Sequence, residues 1–178
     1  IGFLAATSGI RLTNAGSITG GNGGSDPGDS PFAGQPGTGG IGVFGSDLSI
    51  INSGRITGGA SAPALGQGPA IWFRSGTNRL ELQAGSTING NVLAVAGGSD
   101  VLALGGTAAS TFDASLLGPA AQYRNFARYE KTGTSTWTLT GTTATATPWS
   151  VLTGTLLVNG TLGNTASTVA VASGTTLG

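Results

Sequence analysis

The chain of 178 residues has no cysteine, no methionine and no histidine. The lack of cysteine excludes disulfides and thiolate metal sites. Small secreted domains commonly depend on such staples, so a chain without them argues for a different class, one held by a long stacked core. The lack of histidine removes the commonest general base and metal ligand. Charge is scarce too: 7 Lys and Arg stand against 7 Asp and Glu, and the formal net charge is zero. A neutral chain has no electrostatic footprint for nucleic acid, and none is expected as a partner. No run reaches the roughly 18 apolar residues of a membrane-spanning helix. No signal peptide is visible and Ile1 opens in mid-pattern, which suggests a segment excised from a longer protein.

What remains is glycine, small polar residues and branched apolar ones. There are 34 glycines, and 38% of the chain is hydrophobic. Disordered chains combine high charge with few branched apolar residues, so this composition implies a buried core under a surface of Ser, Thr, Asn and Gly. Gly, Ser and Asn are weak helix formers that punctuate turns. Thr, Val, Ile and the aromatics suit strands. No window carries a helical period with a charged face, and the expected class is all-β.

The organisation is repetitive. Asn14-Ala15-Gly16-Ser17-Ile18-Thr19-Gly20-Gly21 returns as Asn52-Ser53-Gly54-Arg55-Ile56-Thr57-Gly58-Gly59, and more loosely as Gln83-Ala84-Gly85-Ser86-Thr87-Ile88-Asn89-Gly90. Upstream, Ile1-Gly2-Phe3-Leu4, Ile41-Gly42-Val43-Phe44 and Ile71-Trp72-Phe73 correspond. Each unit then carries an alternating pair (Ile10 and Leu12, Leu48 and Ile50, Leu80 and Leu82) and, after a turn, Ile18, Ile56 or Ile88. Such a unit reads as three short strands, with alternate apolar residues on one face. One unit cannot close a core. Stacked in register about 4.8 Å apart, the units bury a continuous interior and pair their backbones. This predicts a single-stranded parallel β-helix, a solenoid, in which Asn14 and Asn52 stack as an amide ladder.

Gly/Pro-rich inserts at 22–39 (Pro27, Pro31, Pro36) and 60–68 (Pro63) leave between the same two strands, so both are expected to project from one edge. Residues 1–106 are read as regular units with these inserts. Residues 107–178 are less regular and aromatic-rich, with Phe112, Tyr123, Phe126, Tyr129, Trp137 and Trp149 expected to fill and cover the last part of the core.

These residues carry a family likeness. The Asn-x-Gly-x-Ile-Thr-Gly-Gly units resemble passenger repeats of bacterial autotransporters, the type V secretion class. The series Leu102-Ala103-Leu104-Gly105-Gly106, Phe112-Asp113, Tyr123-Arg124-Asn125-Phe126 and Lys131 to Gly141 resembles the passage into an autochaperone segment, and Gly154 to Gly160 and Ala172 to Gly178 continue the pattern. The likeness covers essentially the whole chain. It departs at Ser135, where the family often has Gly, and from Thr142 to Pro148, which replaces an Asn-Thr-aromatic-Gly turn. The resemblance implies a right-handed β-helix at the surface of a Gram-negative cell, anchored to or released from the outer membrane. It also implies a C-terminal outer-membrane barrel as partner, and terminal coils that fold first. Nucleation is costly and propagation easy in a solenoid; Phe126, Tyr129, Trp137 and Trp149 are the expected folding nucleus.

Other motifs compete. Gly40-x-Gly42-x-x-Gly45 matches a dinucleotide fingerprint, but Val43-Phe44 leads into a strand where that motif needs a helix. Gly97-Gly98-Ser99-Asp100-Val101-Leu102 echoes a calcium-binding nonapeptide in one partial copy, and reads better as a turn. Paired carboxylates for glycoside chemistry are sought in Asp26 and Asp29, with Asp47, Glu81 and Asp113 scattered and the first and last of these read as turn caps. Thr138, Thr140, Thr142 and Thr143 suggest a threonine array, and Asn159-Gly160-Thr161 is a sequon that reads as a turn. None of these assembles a catalytic, cofactor or metal set, and the expectation is a non-enzymatic scaffold. The competing function is an adhesin whose inserts contact a host surface or glycan. Phe32 is the one aromatic in those inserts, which weighs against it.

Overall fold

The computed structural model describes residues 1–24, 37–62, 66–163 and 165–178. Strands β1 (Phe3–Leu4), β2 (Arg11–Asn14) and β3 (Ser17–Thr19) form a first unit. A second comprises β4 (Val43–Gly45), β5 (Ser49–Asn52) and β6 (Arg55–Thr57), and a third β7 (Ile71–Phe73), β8 (Arg79–Leu82) and β9 (Thr87–Asn89). A fourth comprises β10 (Val92–Leu93), β11 (Val101–Leu104) and β12 (Ser110–Asp113). Then follow β13 (Tyr123–Arg124), β14 (Arg128–Lys131), β15 (Thr136–Thr140) and β16 (Thr142–Thr143). The chain ends with β17 (Pro148–Val151), β18 (Thr155–Val158), β19 (Thr161–Leu162), β20 (Thr168–Val171) and β21 (Thr176–Leu177). Among the described residues the helical content is one 3-10 turn, Ala114–Leu116.

All the strands pair in parallel, in sheets ordered β1-β4-β7-β10-β13, β2-β5-β8-β11-β14-β17-β20, β3-β6-β9, β12-β15-β18-β21 and β16-β19. Parallel neighbours cannot be joined by a tight hairpin. Between two paired strands the chain therefore visits the other sheets, and their buried faces share one apolar core.

The register makes columns of side chains. In the long sheet Leu12, Ile50, Leu80, Leu102, Tyr129, Trp149 and Val169 follow one another. The five from Ile50 to Trp149 are buried, whereas Leu12 and Val169 at the two ends are partly exposed. Each fully buried aliphatic side chain contributes roughly 1.5–3 kcal/mol. In the first sheet the buried column is Val43, Ile71, Val92 and Tyr123 above a partly buried Phe3. Ile18, Ile56 and Ile88 align as the repeat predicts.

Two alignments differ from the sequence reading. Ile71 pairs with Val43, not with Ile41. Leu80 continues Leu12 and Ile50, so Leu82 falls beside Asn52, and the third unit's alternating pair sits two residues further along than expected. The reason lies in the preceding turn: Asn78 stands next to Leu48 and its side-chain oxygen accepts the Leu48 N–H at 2.8 Å. A polar turn residue occupies a place that an apolar one fills in the earlier units.

Both inserts join the third strand of a unit to the first strand of the next, β3 to β4 and β6 to β7, as expected. Their prolines, with Phe32, Asp26 and Asp29, lie outside the described residues. The main irregularity comes later. The β3-β6-β9 sheet stops at β9, and the next unit's third strand starts a new sheet. Gln122 covers the exposed side of β9: its Nε2 donates to Ile88 O at 2.9 Å and to Gly90 O at 3.0 Å. The first two sheets run across residue 106 without a break.

Candidate functional site

The four residues expected to nucleate folding are all buried. Tyr129 and Trp149 are register neighbours on β14 and β17, with ring centroids 5.3 Å apart and planes tilted by 31°. Phe126 turns toward the earlier part of the chain and meets Phe73 edge to face at 6.3 Å. Trp137 is set apart on β15. It lines a cleft of about 270 Å³ with Phe112 and Tyr123, which themselves meet edge to face at 5.4 Å. The structure therefore brings Tyr129 and Trp149 together, places Phe126 beside Phe73, and assigns Trp137 to a separate aromatic group.

Polarity distinguishes the two tryptophans. Trp137 Nε1 donates to Gly105 O at 2.9 Å, which Ser135 Oγ also reaches at 3.3 Å. The Nε1 of Trp149 is buried without a partner among the described residues. Burial raises the Tyr129 hydroxyl to about 12, and raises that of Tyr123 further for the same reason.

The polar interior is built of ladders. Asn14 Nδ2 donates to Asn52 Oδ1 at 2.7 Å, and Asn52 Nδ2 donates to Ser86 Oγ at 2.6 Å. The predicted amide ladder thus forms and a serine completes it. Asp100 anchors a second ladder. Its Oδ1 accepts from Asn78 N at 2.7 Å and Asn78 Nδ2 at 2.9 Å, and its Oδ2 accepts from Val95 N at 2.7 Å. Both carboxylate oxygens of this fully buried residue serve a turn, in line with the turn reading of Gly97 to Leu102.

Lys131 was not singled out as a buried residue from sequence. It follows Leu82 and Leu104 in an inward column, and its Nζ reaches the carbonyls of Thr132 at 2.6 Å, Gly133 at 2.9 Å and Thr153 at 3.1 Å. Burial lowers its pKa, and Glu81 draws it part of the way back. Alternation with buried Tyr129 was the signal in the sequence.

The remaining motifs have structural explanations. Val43–Gly45 is a strand between β1 and β7, and a side chain at Gly42 would strike the carbonyls of Ala70 and Thr57. Asp113 caps the 3-10 turn through Ser115 N at 2.9 Å, and Asp47, itself at φ 51°, accepts from Thr77 N at 3.0 Å in the next unit. Glu81 joins Arg79 and Glu130 in an ion cluster on the outer face of the long sheet, over the buried Ala103. Thr138 lies between Thr111 and Leu157, so the threonines form no continuous row there. Asn159-Gly160-Thr161 joins β18 to β19.

One surface site was missed. Trp72 alternates with buried Ile71 and Phe73 on β7, so strand geometry turns it outward, where it remains 44% exposed. Phe44, its register neighbour on β4, meets it edge to face at 5.8 Å. Beside Trp72, under the described bases of both inserts, lies a cleft of about 420 Å³ lined also by Thr38, Gly39, Gly40, Ser61, Gln67 and Gly68. The signal was a tryptophan between two inward positions of a strand.

No family model, curated protein or solved structure matches this chain.

Proposed function

We propose that this chain is a segment of right-handed parallel β-helix from the cell-surface passenger of a bacterial autotransporter, and that residues 107–178 promote its folding and export. The observation that carries this reading is the recurrence of strand order from unit to unit. Except where sheets end at β9 and β13, each strand before the last unit finds a parallel partner in the next one, so a folded unit presents a ready edge for its neighbour. The nucleating role falls to the later part because there the long aliphatic column becomes Tyr129 and Trp149. Large rings bury more area per residue than leucine, which suits a step that must offset the cost of ordering the first unit.

The partner implied is the protein's own outer-membrane barrel, and the chain's role is structural, without a reaction of its own. Surface display tests the proposal. In the secreted parent protein, Tyr129→Ala together with Trp149→Ala should cut display severalfold, while Leu12→Ala should leave it near the parent level. Display unchanged by the aromatic pair would overturn the reading.

A further inference from the structure

We propose that the cleft beside Trp72 binds a neutral saccharide. This inference goes beyond the stem reading, and neither requires the other.

The site has three parts. The first is a platform. Trp72 is held outward by the strand alternation of Ile71 and Phe73, and the edge-to-face contact with Phe44 fixes its plane. Rigid indole rings offer large amphipathic contact area at small entropic cost, which is why tryptophan dominates binding hot spots. The second is a floor of bare backbone. A side chain on Gly39 would collide with the carbonyl of Gly59, and one on Gly68 with the carbonyls of Gly39 and Gly40. Glycine at these places lets adjacent segments pack backbone to backbone, so main chain forms the floor. The third is a polar rim with capacity to spare. Ser61 Oγ accepts from Gly39 N at 2.7 Å, which leaves its hydroxyl hydrogen to donate. Gln67 Nε2 is held by Gly58 O at 2.9 Å and Asn89 O at 3.4 Å, which leaves its Oε1 to accept. Thr38 adds a second hydroxyl.

These parts select the chemistry of the ligand. Among the described lining residues, which also include Ile1, Ile41 and Pro69, none has an Asp, Glu, Lys or Arg side chain, so no side chain described there compensates an anionic or cationic group. The cleft suits an uncharged ligand with an apolar face for the indole and hydroxyls for an amide and two side-chain hydroxyls. A pyranose ring has both. The volume lies within the usual range of small-molecule sites. The position fits as well, since loops on a rigid scaffold commonly carry binding.

The experiment exploits the distribution of tryptophan. Trp137 and Trp149 are buried, so the emission that acrylamide quenches in the folded chain belongs to Trp72. The whole chain is titrated with neutral tetrasaccharides of glucose, galactose and N-acetylglucosamine, with a sialylated oligosaccharide and tetraglycine as comparisons. At least one neutral saccharide should shield Trp72 from acrylamide in a saturable way. Gln67→Ala should weaken that binding severalfold, Trp72→Tyr should keep most of it, and Trp72→Ala, followed by calorimetry, should lower it at least about tenfold. Shielding by the sialylated sugar or the peptide in place of the neutral sugars would overturn the proposal. So would no shielding by any neutral sugar, or saccharide affinity that survives Trp72→Ala.

Discussion

The two parts of the chain solve one packing problem with different side chains. Up to residue 106 the columns are mainly aliphatic, with Phe3 and Phe73 as the aromatic members, and the buried polar groups form ladders, Asn14 to Asn52 to Ser86 and Leu48 to Asn78 to Asp100. Beyond it the same columns pass into Tyr123, Tyr129 and Trp149, and Lys131 replaces a leucine by reaching turn carbonyls. Ladders align one unit with the next, because a shift of one position breaks them. Aromatic columns contribute bulk burial. Alignment is therefore concentrated in the earlier part, and most of the buried rings lie in the later part. The change of sheet falls between the two parts, after β9, where Gln122 covers the strand left without a neighbour.

The largest effect should come from removing bulk in the later part. Trp149→Ala should cost about 3–5 kcal/mol in denaturant unfolding, against 2 kcal/mol or less (roughly) for Leu12→Ala at the open end. Equal losses would erase the contrast.

The next effect is alkaline. Below pH about 10 both buried tyrosines are neutral in the folded and unfolded chain. Above it the unfolded chain ionises first, so stability falls as pH rises through the folded value of Tyr129, about 12, and continues to fall for Tyr123. Tyr129 alone accounts for roughly 2–3 kcal/mol. Lys131 works in the opposite sense below its ordinary value of 10.5, because a depressed pKa makes the charged form the costly one. Melting followed from pH 9 to 12 should show a loss that begins near pH 10 and deepens toward 12, and Tyr129→Phe should reduce it. A profile unaffected by that substitution would count against burial as the cause.

Asp100→Ala should cost about 2–3 kcal/mol, because Asn78 N and Val95 N lose their acceptor in a dry turn. Exchange of Asn14 and Asn52 together for leucine should cost only about 1–2 kcal/mol: the amide-to-amide bond loses both partners at once, and the part-buried Gly16 N, Arg55 O, Gly54 O and Ser86 Oγ lose theirs. That pair would then be an alignment device: its loss should appear as broadened amide spectra of β2 and β5, and a large drop in stability would show that the ladder also carries energy.

Much of this arrangement was legible before any coordinates. The spacing of Asn14 and Asn52 and of Ile18, Ile56 and Ile88 gave the units and their register, because identical residues stack when strands are parallel. The third unit was placed two residues off because Asn78 does in its turn what Leu48 does in the core, and pattern matching follows hydrophobicity. Lys131 was hidden by its charge, although it alternates with buried residues. Trp72 was hidden by its apolarity, because a tryptophan between Ile71 and Phe73 reads as core until strand alternation is applied. The cleft beside it depends on glycine backbones meeting from distant segments, and pairwise spacing carries no such information.

Amide hydrogen exchange on the intact chain addresses the central claim most directly, since it ranks local stability without cutting the molecule. The account predicts that the amides of β14, β15 and β17, around Tyr129, Trp137 and Trp149, exchange last and do so as one group, ahead in protection of β5 and β8. Slowest exchange at β5 and β8, with the aromatic strands opening first, would contradict it.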